Sequence, residues 1–274
     1  MMANIKGKML LLPFRIGTTS YIYADDILPN VHKLEGKVDD IELILFEAGR
    51  AGNIPGQKDL EELKRVGSSQ DLTYTVHLPL DIDLGSGTSG KRKSAVEQVG
   101  ELVGRMSVLN PHAYILHMNL SKRSERNIGR WQGRVSRSLE EIAGLRSVVP
   151  QNIAIENLSY PFGYIDTLVL RNGFSICVDI GHLIVMGIDP LEHLKRYFGV
   201  TRVIHLHGVD GRKDHVSLKH LDAVLMRRII RFLKDNSYRG VLTLEIFSQT
   251  DFYESMGVLW ENIPLCPAYQ KNGK

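Results

Sequence analysis

The chain of 274 residues has only two cysteines and two tryptophans. Cys177 lies inside an apolar run and Cys266 near the C-terminus, so the disulfide framework of a small secreted domain is excluded and a reducing compartment fits. No apolar run approaches the length of a membrane span, and the early segment MLLLPF is too short for the core of a signal peptide. We therefore expect a cytoplasmic protein without a membrane partner.

The chain also lacks a strong charge of either sign. Its 34 lysines and arginines and its 31 aspartates and glutamates leave a formal net charge of +3. This surplus is too small to indicate a nucleic-acid-binding protein, so nucleic acid is not the favoured partner. Partners must be inferred from candidate sites, which indicate a small-molecule substrate, and the oligomeric state is left open.

What the sequence contains is a repeated alternation of short, β-rich apolar runs with longer amphipathic segments, which is typical of repeated β-α units. We count eight such pairs. The predicted strands are FRIGTT, DIELILFE, TYTVHLP, AYILHMN, IAIENL, SICVDI, RVIHLHGV and VLTLEIF. The predicted helices include KDLEELKRVG, SAVEQVGELVGRMSVL, GRVSRSLEEIAGLR, LEHLKRYFG and LDAVLMRRIIRFLKDN, whose apolar residues recur at intervals of three and four.

Eight β-α units in one uninterrupted chain predict an α/β fold, a closed (β/α)8 TIM barrel. The structural alternative is an open, doubly wound sheet, for which a glycine fingerprint and a topological switch would be expected. No linker divides the chain. We therefore predict a single domain over residues 1–274, with the barrel at about 13–262 and an irregular tail at 263–274.

Six consecutive predicted strands become polar at their C-terminal ends. The residues are His77, His117, Glu156, Asp179, His205 and Glu245. In a barrel the C-terminal ends of the strands converge on one mouth, where active sites lie. Any one of these residues alone is readily explained as a satisfied polar group at a strand end, but six in succession are not. Carboxylates beside imidazoles are ligands for zinc, iron or manganese, and bound cations would remove the repulsion between the carboxylates.

Two short spacings refine the predicted metal site. His205 and His207 are two residues apart and therefore share one face of an extended strand. In DIGH, Gly181 is expected to bend the chain just past the strand and to bring His182 toward Asp179. The loop that follows His207 also carries the adjacent pair Asp214 and His215, which could reach a further cation.

Taken in order, these residues resemble the ligand set of the xylose-isomerase-like barrel superfamily, in its endonuclease IV branch. The resemblance covers nearly the whole chain and implies two or three divalent metal ions and phosphodiester hydrolysis, with zinc as the first choice and iron or manganese as alternatives. It assigns His77, His117 and Glu156 to a first ion, Glu156, Asp179, His205 and Glu245 to a second, and His182, Asp214 and His215 to a third. Glu156, which bridges two ions, and Glu245 would be the catalytic carboxylates.

This chain departs from the family pattern at two positions. The relatives have Asp-any-His in the late loop, where this sequence has Asp214 directly before His215. His207 occupies a position that is usually not histidine in the superfamily. The resemblance therefore specifies the third ion site least, and it leaves His207 open between metal ligand and substrate contact.

Within the superfamily, four segments resemble the cobamide-remodelling phosphodiesterases (the CbiR family). The segments are FRIGTTSYIYADDILPNV, VDDIELILFE, HLHGVDGRKDHVSL and LTLEIFS. This resemblance implies hydrolysis of the phosphodiester in the nucleotide loop of cobamides, which removes the lower ligand and leaves a phosphorylated cobinamide for remodelling and salvage. Candidate substrate-binding residues at the mouth are His207, Thr18, Tyr21, Glu47, Arg123 and Trp131.

Three other functions remain open. Glu156, Asp179, His205 and Glu245 alone match the single-metal site of sugar-phosphate isomerases and epimerases, although His77, His117 and His215 are then without a role. An endonuclease IV-like DNA-repair enzyme would need basic and aromatic loop residues, which NLSKRSERNIGRWQGR offers, although a solvated loop explains that segment equally well. A barrel that only binds a corrinoid or sugar phosphate would not need the full ligand set.

Overall fold

The computed structural model describes residues 12–48 and 54–263. Eight parallel strands form a closed barrel, in which β1 pairs with both the second and the last barrel strand. The barrel strands are β1 (Arg15–Thr19), β2 (Asp40–Ile44), β3 (Thr73–His77), β4 (Tyr114–Leu116), β5 (Ile153–Glu156), β6 (Ser175–Asp179), β7 (Thr201–Leu206) and β10 (Val241–Leu244). Between β7 and β10, β8 (Gly208–Asp210) and β9 (Lys213–Val216) form an antiparallel hairpin.

Helices follow the strands and cover the outside of the barrel. They are α1 (Ile27–Leu34), α2 (Gln57–Gln70), α3 (Ser89–Met106), α4 (Lys122–Glu125), α5 (Ile128–Ala143), α6 (Asp166–Arg171), α7 (Ile180–Val185), α8 (Pro190–Tyr197), α9 (Ala223–Asp235) and α10 (Gln249–Asn262). Short 3-10 turns lie at Ser107–Leu109, Pro150–Asn152, Phe162–Tyr164, Phe198–Val200 and Leu218–His220. Across residues 12–48 and 54–263, no helix combines the length and the apolar character needed to cross a membrane.

The predicted (β/α)8 barrel is confirmed. Each of the eight predicted apolar runs overlaps one barrel strand, and the amphipathic segments named above fall on α2, α3, α5, α8 and α9. The sequence did not predict the hairpin β8–β9 within the histidine-rich loop. Cys266 and all but the first residue of the expected tail at 263–274 lie outside the described residues.

The buried apolar residues form two clusters, one on each side of the barrel strands. The main core lies between strands and helices, whereas a second cluster contains Ala113, Ile115, Ala154, Cys177 and Val203. These five residues alternate along the strands with residues of the main core, so they fill the barrel interior.

The interior cluster explains where the polar strand ends point. Side chains two residues apart on a strand lie on the same face. The residues two positions after Ile115, Ala154, Cys177 and Val203 are, in order, His117, Glu156, Asp179 and His205. These apolar side chains therefore lie below the polar ones, which surround the C-terminal mouth of the barrel.

Trp131 is a core residue and not the substrate contact that the sequence suggested. It lies on α5 and is completely buried, and its indole Nε1–H donates to the carbonyl oxygen of Asn119 at 3.0 Å. Its ring meets Tyr160 edge-on, with ring centroids 5.4 Å apart. A Cβ on Gly85 would lie 2.2 Å from Nε1. Trp131 thus holds the loops after β3 and β4 against α5, which corrects the expectation from the sequence.

Removing this anchor is expected to destabilise the barrel. Trp131→Ala should lower the free energy of unfolding by about 3–5 kcal/mol, because it leaves a cavity and an unpaired carbonyl group. Urea unfolding measures the change, and Leu170→Ala, at a side chain that is 42% exposed on α6, is the control, with an expected change within about 0.5 kcal/mol. Equal stability of Trp131→Ala and the parent protein would contradict the role as an anchor.

Candidate metal centre

The carboxylate of Glu156, at the end of β5, lies at the centre of the polar cluster. Its Oε2 is 2.9 Å from Nε2 of His117 and 3.5 Å from Nε2 of His77, and its Oε1 is 3.3 Å from Nδ1 of His182. The side chain is 1% exposed. One buried carboxylate between imidazoles from three different elements has the geometry of a bridging ligand.

A second group of ligand atoms surrounds His205. Its Nδ1 lies 3.0 Å from Oε2 of Glu245, 3.7 Å from Oε2 of Glu156 and 3.8 Å from Oδ2 of Asp179. All four residues are buried, and one ligand atom of each lies within 4.8 Å of those of the others. These are the residues that the family resemblance assigned to the second ion.

A third group lies toward the hairpin. Asp214 places its Oδ2 4.0 Å from Nε2 of His182 and its Oδ1 4.0 Å from Nε2 of His215. His215 has a left-handed backbone, with φ of 52°, which is uncommon for a residue other than glycine. Asp214 and His215 therefore both lie near His182, although they are adjacent in the chain and do not have the Asp-any-His spacing of the relatives.

The polar atoms of this cluster fit divalent cations. Glu156 Oε1, Glu245 Oε2 and His205 Nδ1 are buried without a hydrogen bond. Within the described ranges, no lysine or arginine forms an ion pair with Glu156, Asp179 or Glu245. Buried carboxylates of this kind cost free energy unless they are paired or bind a cation, and nitrogen with carboxylate oxygen is a ligand set for zinc, iron or manganese.

The imidazoles partly supply the missing positive charge. Burial raises the pKa of Glu156, but His117 and His205 outweigh it and hold that pKa well below its ordinary value. Burial lowers the pKa of His182, but Glu156 and Asp179 outweigh it and raise that pKa to about 10. Glu156 is therefore ionised in the cation-free protein, and a proton on His182 balances part of its charge.

Backbone carbonyl groups orient three of the histidines. The Nδ1 atoms of His77, His182 and His215 lie 2.9 Å, 3.1 Å and 3.2 Å from the carbonyl oxygens of Leu78, Asn157 and Glu245, respectively. A ring nitrogen that donates to a carbonyl group carries a proton, so in the neutral form of each ring Nε2 is the atom that presents a lone pair. This is the usual support for a metal-binding histidine.

His207 lies beneath the site and is fully buried, so it is not the substrate contact that was one of its two expected roles. Its Nδ1 is 2.9 Å from the backbone nitrogen of His215, and its Nε2 is 3.2 Å from Oδ2 of Asp179. The same Nδ1 also lies 3.1 Å from the carbonyl oxygen of Gly208, and because the carboxylate of Asp179 accepts, Nε2–H donates to it. In this arrangement His207 contacts Asp179 and anchors the hairpin, and its ring also forms a group with His182 and His215 whose ligand atoms lie within 4.8 Å of one another, so its role as a metal ligand stays a prediction.

Gly181 is needed for space and not for the bend that the sequence suggested. It lies in α7, whose first turn Asp179 caps by accepting the backbone N–H of His182 at 2.6 Å. Its φ is not among the positive glycine values of the described chain. A Cβ at this position would lie 1.9 Å from Cε1 of His207, so only glycine lets the imidazole ring lie under the helix.

The remaining candidate substrate contacts differ in their accessibility. Thr18 is completely buried and its hydroxyl group donates to the carbonyl oxygen of Leu244 at 3.0 Å, so the structure corrects that assignment. Tyr21 is half-buried and packs against Phe46, with ring centroids 4.3 Å apart. Glu47, after β2, and Arg123, on α4, are exposed. Tyr21, Glu47 and Arg123 stay predictions.

Sequence reasoning missed one buried acid next to the ligands. Glu42, in the middle of β2, is completely buried, and its Oε2 lies 2.9 Å from Nε2 of His205. The sequence held a signal for this residue, which is a glutamate inside the apolar run DIELI. Glu42 shares a strand face with Ile44, two residues later, and Ile44 pairs with the candidate ligand His77 in the sheet register. Because Glu42 lies in the middle of its strand and not at the C-terminal end, the pattern of polar strand ends did not predict it.

The family model for the xylose isomerase-like TIM barrel matches residues 35–262, and the chain belongs to that family. Solved structures with the same fold include a D-tagatose 3-epimerase-like protein, with a TM-score of 0.74 and 18% identity over 91% of this chain and 97% of that one. Another is endonuclease IV from Thermus thermophilus, with a TM-score of 0.69 and 15% identity over 90% of this chain and 99% of that one. A third is the 3-keto-D-glucoside 4-epimerase YcjR from E. coli, with a TM-score of 0.70 and 16% identity over 91% and 98%, respectively. Comparison of the sequence with curated proteins gave no match.

Cation binding is expected to release protons. The pKa of His182 is raised from 6.5 to about 10, so at neutral pH the ring holds a proton that a cation must displace. A raised pKa means that this proton is fully bound below pH 6.5 and is lost as the pH rises through about 10, so affinity should increase across that window. Calorimetric titration with Zn²⁺ in two buffers of different ionisation enthalpy measures the release, and equal heats in both buffers would contradict it.

The close contact at Gly181 gives a second prediction. Gly181→Ala should lower both bound zinc and the free energy of unfolding, the latter by roughly 1–3 kcal/mol, because the added methyl group must displace the His207 ring from Asp179. The control is Gly133→Ala on α5, where an added Cβ meets nothing within 4 Å. Metal analysis and urea unfolding report the two effects. Full zinc content in Gly181→Ala would show that the position of His207 does not matter.

Proposed function

We propose that the protein is a metal-dependent phosphodiesterase that hydrolyses the nucleotide-loop phosphodiester of cobamides. The reaction would remove the lower ligand and leave a phosphorylated cobinamide, as required for cobamide remodelling and salvage. The observation that carries the proposal is that the ligand groups adjoin one another through Glu156, which takes part in both the His77–His117 group and the His205 group. An enzyme with a single metal ion needs only one of these groups.

The residues that would hold the cations are those of the three groups. They are His77, His117 and Glu156, then Glu156, Asp179, His205 and Glu245, and finally His182, Asp214 and His215. When bound, divalent cations, with zinc as the first choice, would supply the positive charge that stabilises the negative charge developing on phosphoryl oxygens. With three ions, that charge exceeds the charge of the four ligand carboxylates, which suits an anionic phosphodiester.

The two proposed catalytic carboxylates, Glu156 and Glu245, hold their charge at neutral pH. Burial raises the pKa of Glu245, but His205 lies 3.0 Å away and lowers that pKa below its ordinary value. Glu156 is held ionised in the same way by His117 and His205. Carboxylates of low pKa are suited to orienting water and binding cations, and less suited to carrying a proton back and forth between substrate atoms.

Two cavities adjoin segments that follow the candidate ligands in the chain, and a phosphodiester with two different ester arms would need two such spaces. A cavity of about 460 Å³ is lined by Tyr21, Tyr23, Ala24, Phe46 and Phe247, and the ring centroid of Phe247 lies 5.4 Å from that of His215. A second cavity, of about 190 Å³, is lined by residues that include the segments after His117 and Glu156, namely Asp83, Asn119, Leu120, Ser121, Leu158, Ser159 and Tyr160. The aromatic cavity suits a flat ring system and the polar cavity suits a group that forms hydrogen bonds.

A single-metal sugar-phosphate isomerase or epimerase is the second candidate. The group of Glu156, Asp179, His205 and Glu245 could hold one ion without the other two groups. Two of the structural neighbours described above are an epimerase-like protein and an epimerase. An endonuclease IV-like DNA-repair activity is less well supported, because Trp131, the aromatic residue of the loop that would have contacted DNA, is buried.

A direct assay tests the proposal. Purified, metal-loaded protein is incubated with a complete cobamide, and the products are separated by chromatography. We expect a phosphorylated cobinamide, and we expect Glu156→Ala to abolish its formation. Metal analysis should give two or three ions per chain.

Three outcomes would contradict the proposal. Recovery of intact cobamide would end the specific assignment. One tightly bound manganese per chain, with turnover of a sugar phosphate, would favour the isomerase. Cleavage of duplex DNA at abasic sites would favour the repair enzyme.

A further inference from the structure

Glu42 is a buried acid that no ligand group of the proposed site uses. It lies on β2 between Thr19 of β1 and Thr75 of β3 in the sheet register, and it is completely buried. Among the described residues, no lysine or arginine forms an ion pair with it, and its ion-pair partner is His205. A carboxylate inside a barrel costs free energy unless it has a specific partner, so its presence requires a reason.

His205 is oriented differently from the other histidines of the site. His77, His182 and His215 turn Nδ1 toward a backbone carbonyl group and present Nε2. His205 turns Nε2 to Glu42, at 2.9 Å, and presents Nδ1 to the carboxylates of the second group. A side-chain carboxylate thus takes the place that a carbonyl oxygen takes behind the other rings.

The opposite orientation follows from the position of the residue. His205 lies within β7, where its neighbours are Thr243 on β10 and Asp179 on β6. The acceptor behind its ring comes from another strand and not from a carbonyl group of β7 itself. Glu42 reaches across the interior from β2 and supplies that acceptor.

We propose that Glu42 is a positioning residue of the metal centre, which accepts the Nε2–H of His205 and so fixes the tautomer whose Nδ1 lone pair points at the second cation. The hydrogen bond also raises the basicity of the coordinating nitrogen, as carboxylates behind metal-bound histidines do. His205 is the sole imidazole in its group with Glu156, Asp179 and Glu245, so the charge and direction of that nitrogen matter for the whole group. The inference rests on the metal site of the proposed function and does not depend on its substrate.

The competing role for Glu42 is that of a direct ligand. One carboxylate oxygen of Glu42 lies within 4.8 Å of ligand atoms of His77 and Glu245, and its Oε1 is buried without a hydrogen bond. A direct ligand and a positioning residue differ in one measurable respect. Loss of a ligand removes an ion, whereas loss of the support behind His205 weakens the binding of an ion that is still present.

The experiment compares three variants by zinc affinity, measured by competition with a chelator. Glu42→Leu removes the acceptor and should weaken the affinity of one site by roughly 10- to 100-fold, the range for a partner behind a metal ligand. Glu42→Gln keeps an acceptor oxygen but loses the charge, and should lie between Glu42→Leu and the parent. Glu101→Gln, on the exposed face of α3, is the charge-matched control and should bind as the parent does.

A second measurement does not depend on any variant folding. In the zinc-loaded parent protein, nitrogen NMR of the histidine rings should show His205 with a metal-bound Nδ1 and a protonated Nε2. A metal-bound Nε2 would overturn the proposal, as would unchanged zinc affinity in Glu42→Leu or the loss of a whole equivalent of zinc in Glu42→Gln. Because both readouts concern metal alone, a negative cobamide assay would not affect them.

Discussion

The sharing of one buried carboxylate by several imidazoles is the interaction on which the site depends. Glu156 lies within 3.5 Å of His77, His117 and His182, which come from three different β-α units. A carboxylate at this depth is tolerated only with positive charge close by, and the histidines supply it through protons or through cations. The barrel therefore brings its strand ends together around a charge that no single strand could bury alone.

The groups behind the ligands are as specific as the ligands themselves. Asp179 caps α7, receives the ring of His207 from below and faces His205, so one carboxylate connects the sheet, a helix and the hairpin. His207 fits only because position 181 is glycine. On the far side of the interior, Oε2 of Glu42 lies 2.9 Å from Nε2 of His205. Hydrogen bonds of this kind determine which ring nitrogen faces the centre, and hence what the centre can bind.

The fold by itself is compatible with several reactions, since both epimerases and an endonuclease share it. In this chain, further histidines surround the four-residue group that a single ion would need. The two cavities beside these histidines differ in chemistry, one aromatic and one polar. The proposed phosphodiester substrate, with two unlike groups, would use all of these features, whereas a small sugar phosphate would leave several without a role.

The sequence by itself determined the barrel, because eight apolar runs with helical segments between them admit few arrangements. It also predicted the candidate ligand residues, because polar residues at consecutive strand ends must meet at one mouth. Only the tertiary structure decided what stands behind them. The sequence left His207 between metal ligand and substrate contact, suggested Trp131 and Thr18 as substrate contacts at the mouth, and did not point to Glu42. Each depends on which side chains from distant strands occupy the same buried space, and the period of a strand gives the face on which a residue lies but not its partner across the barrel.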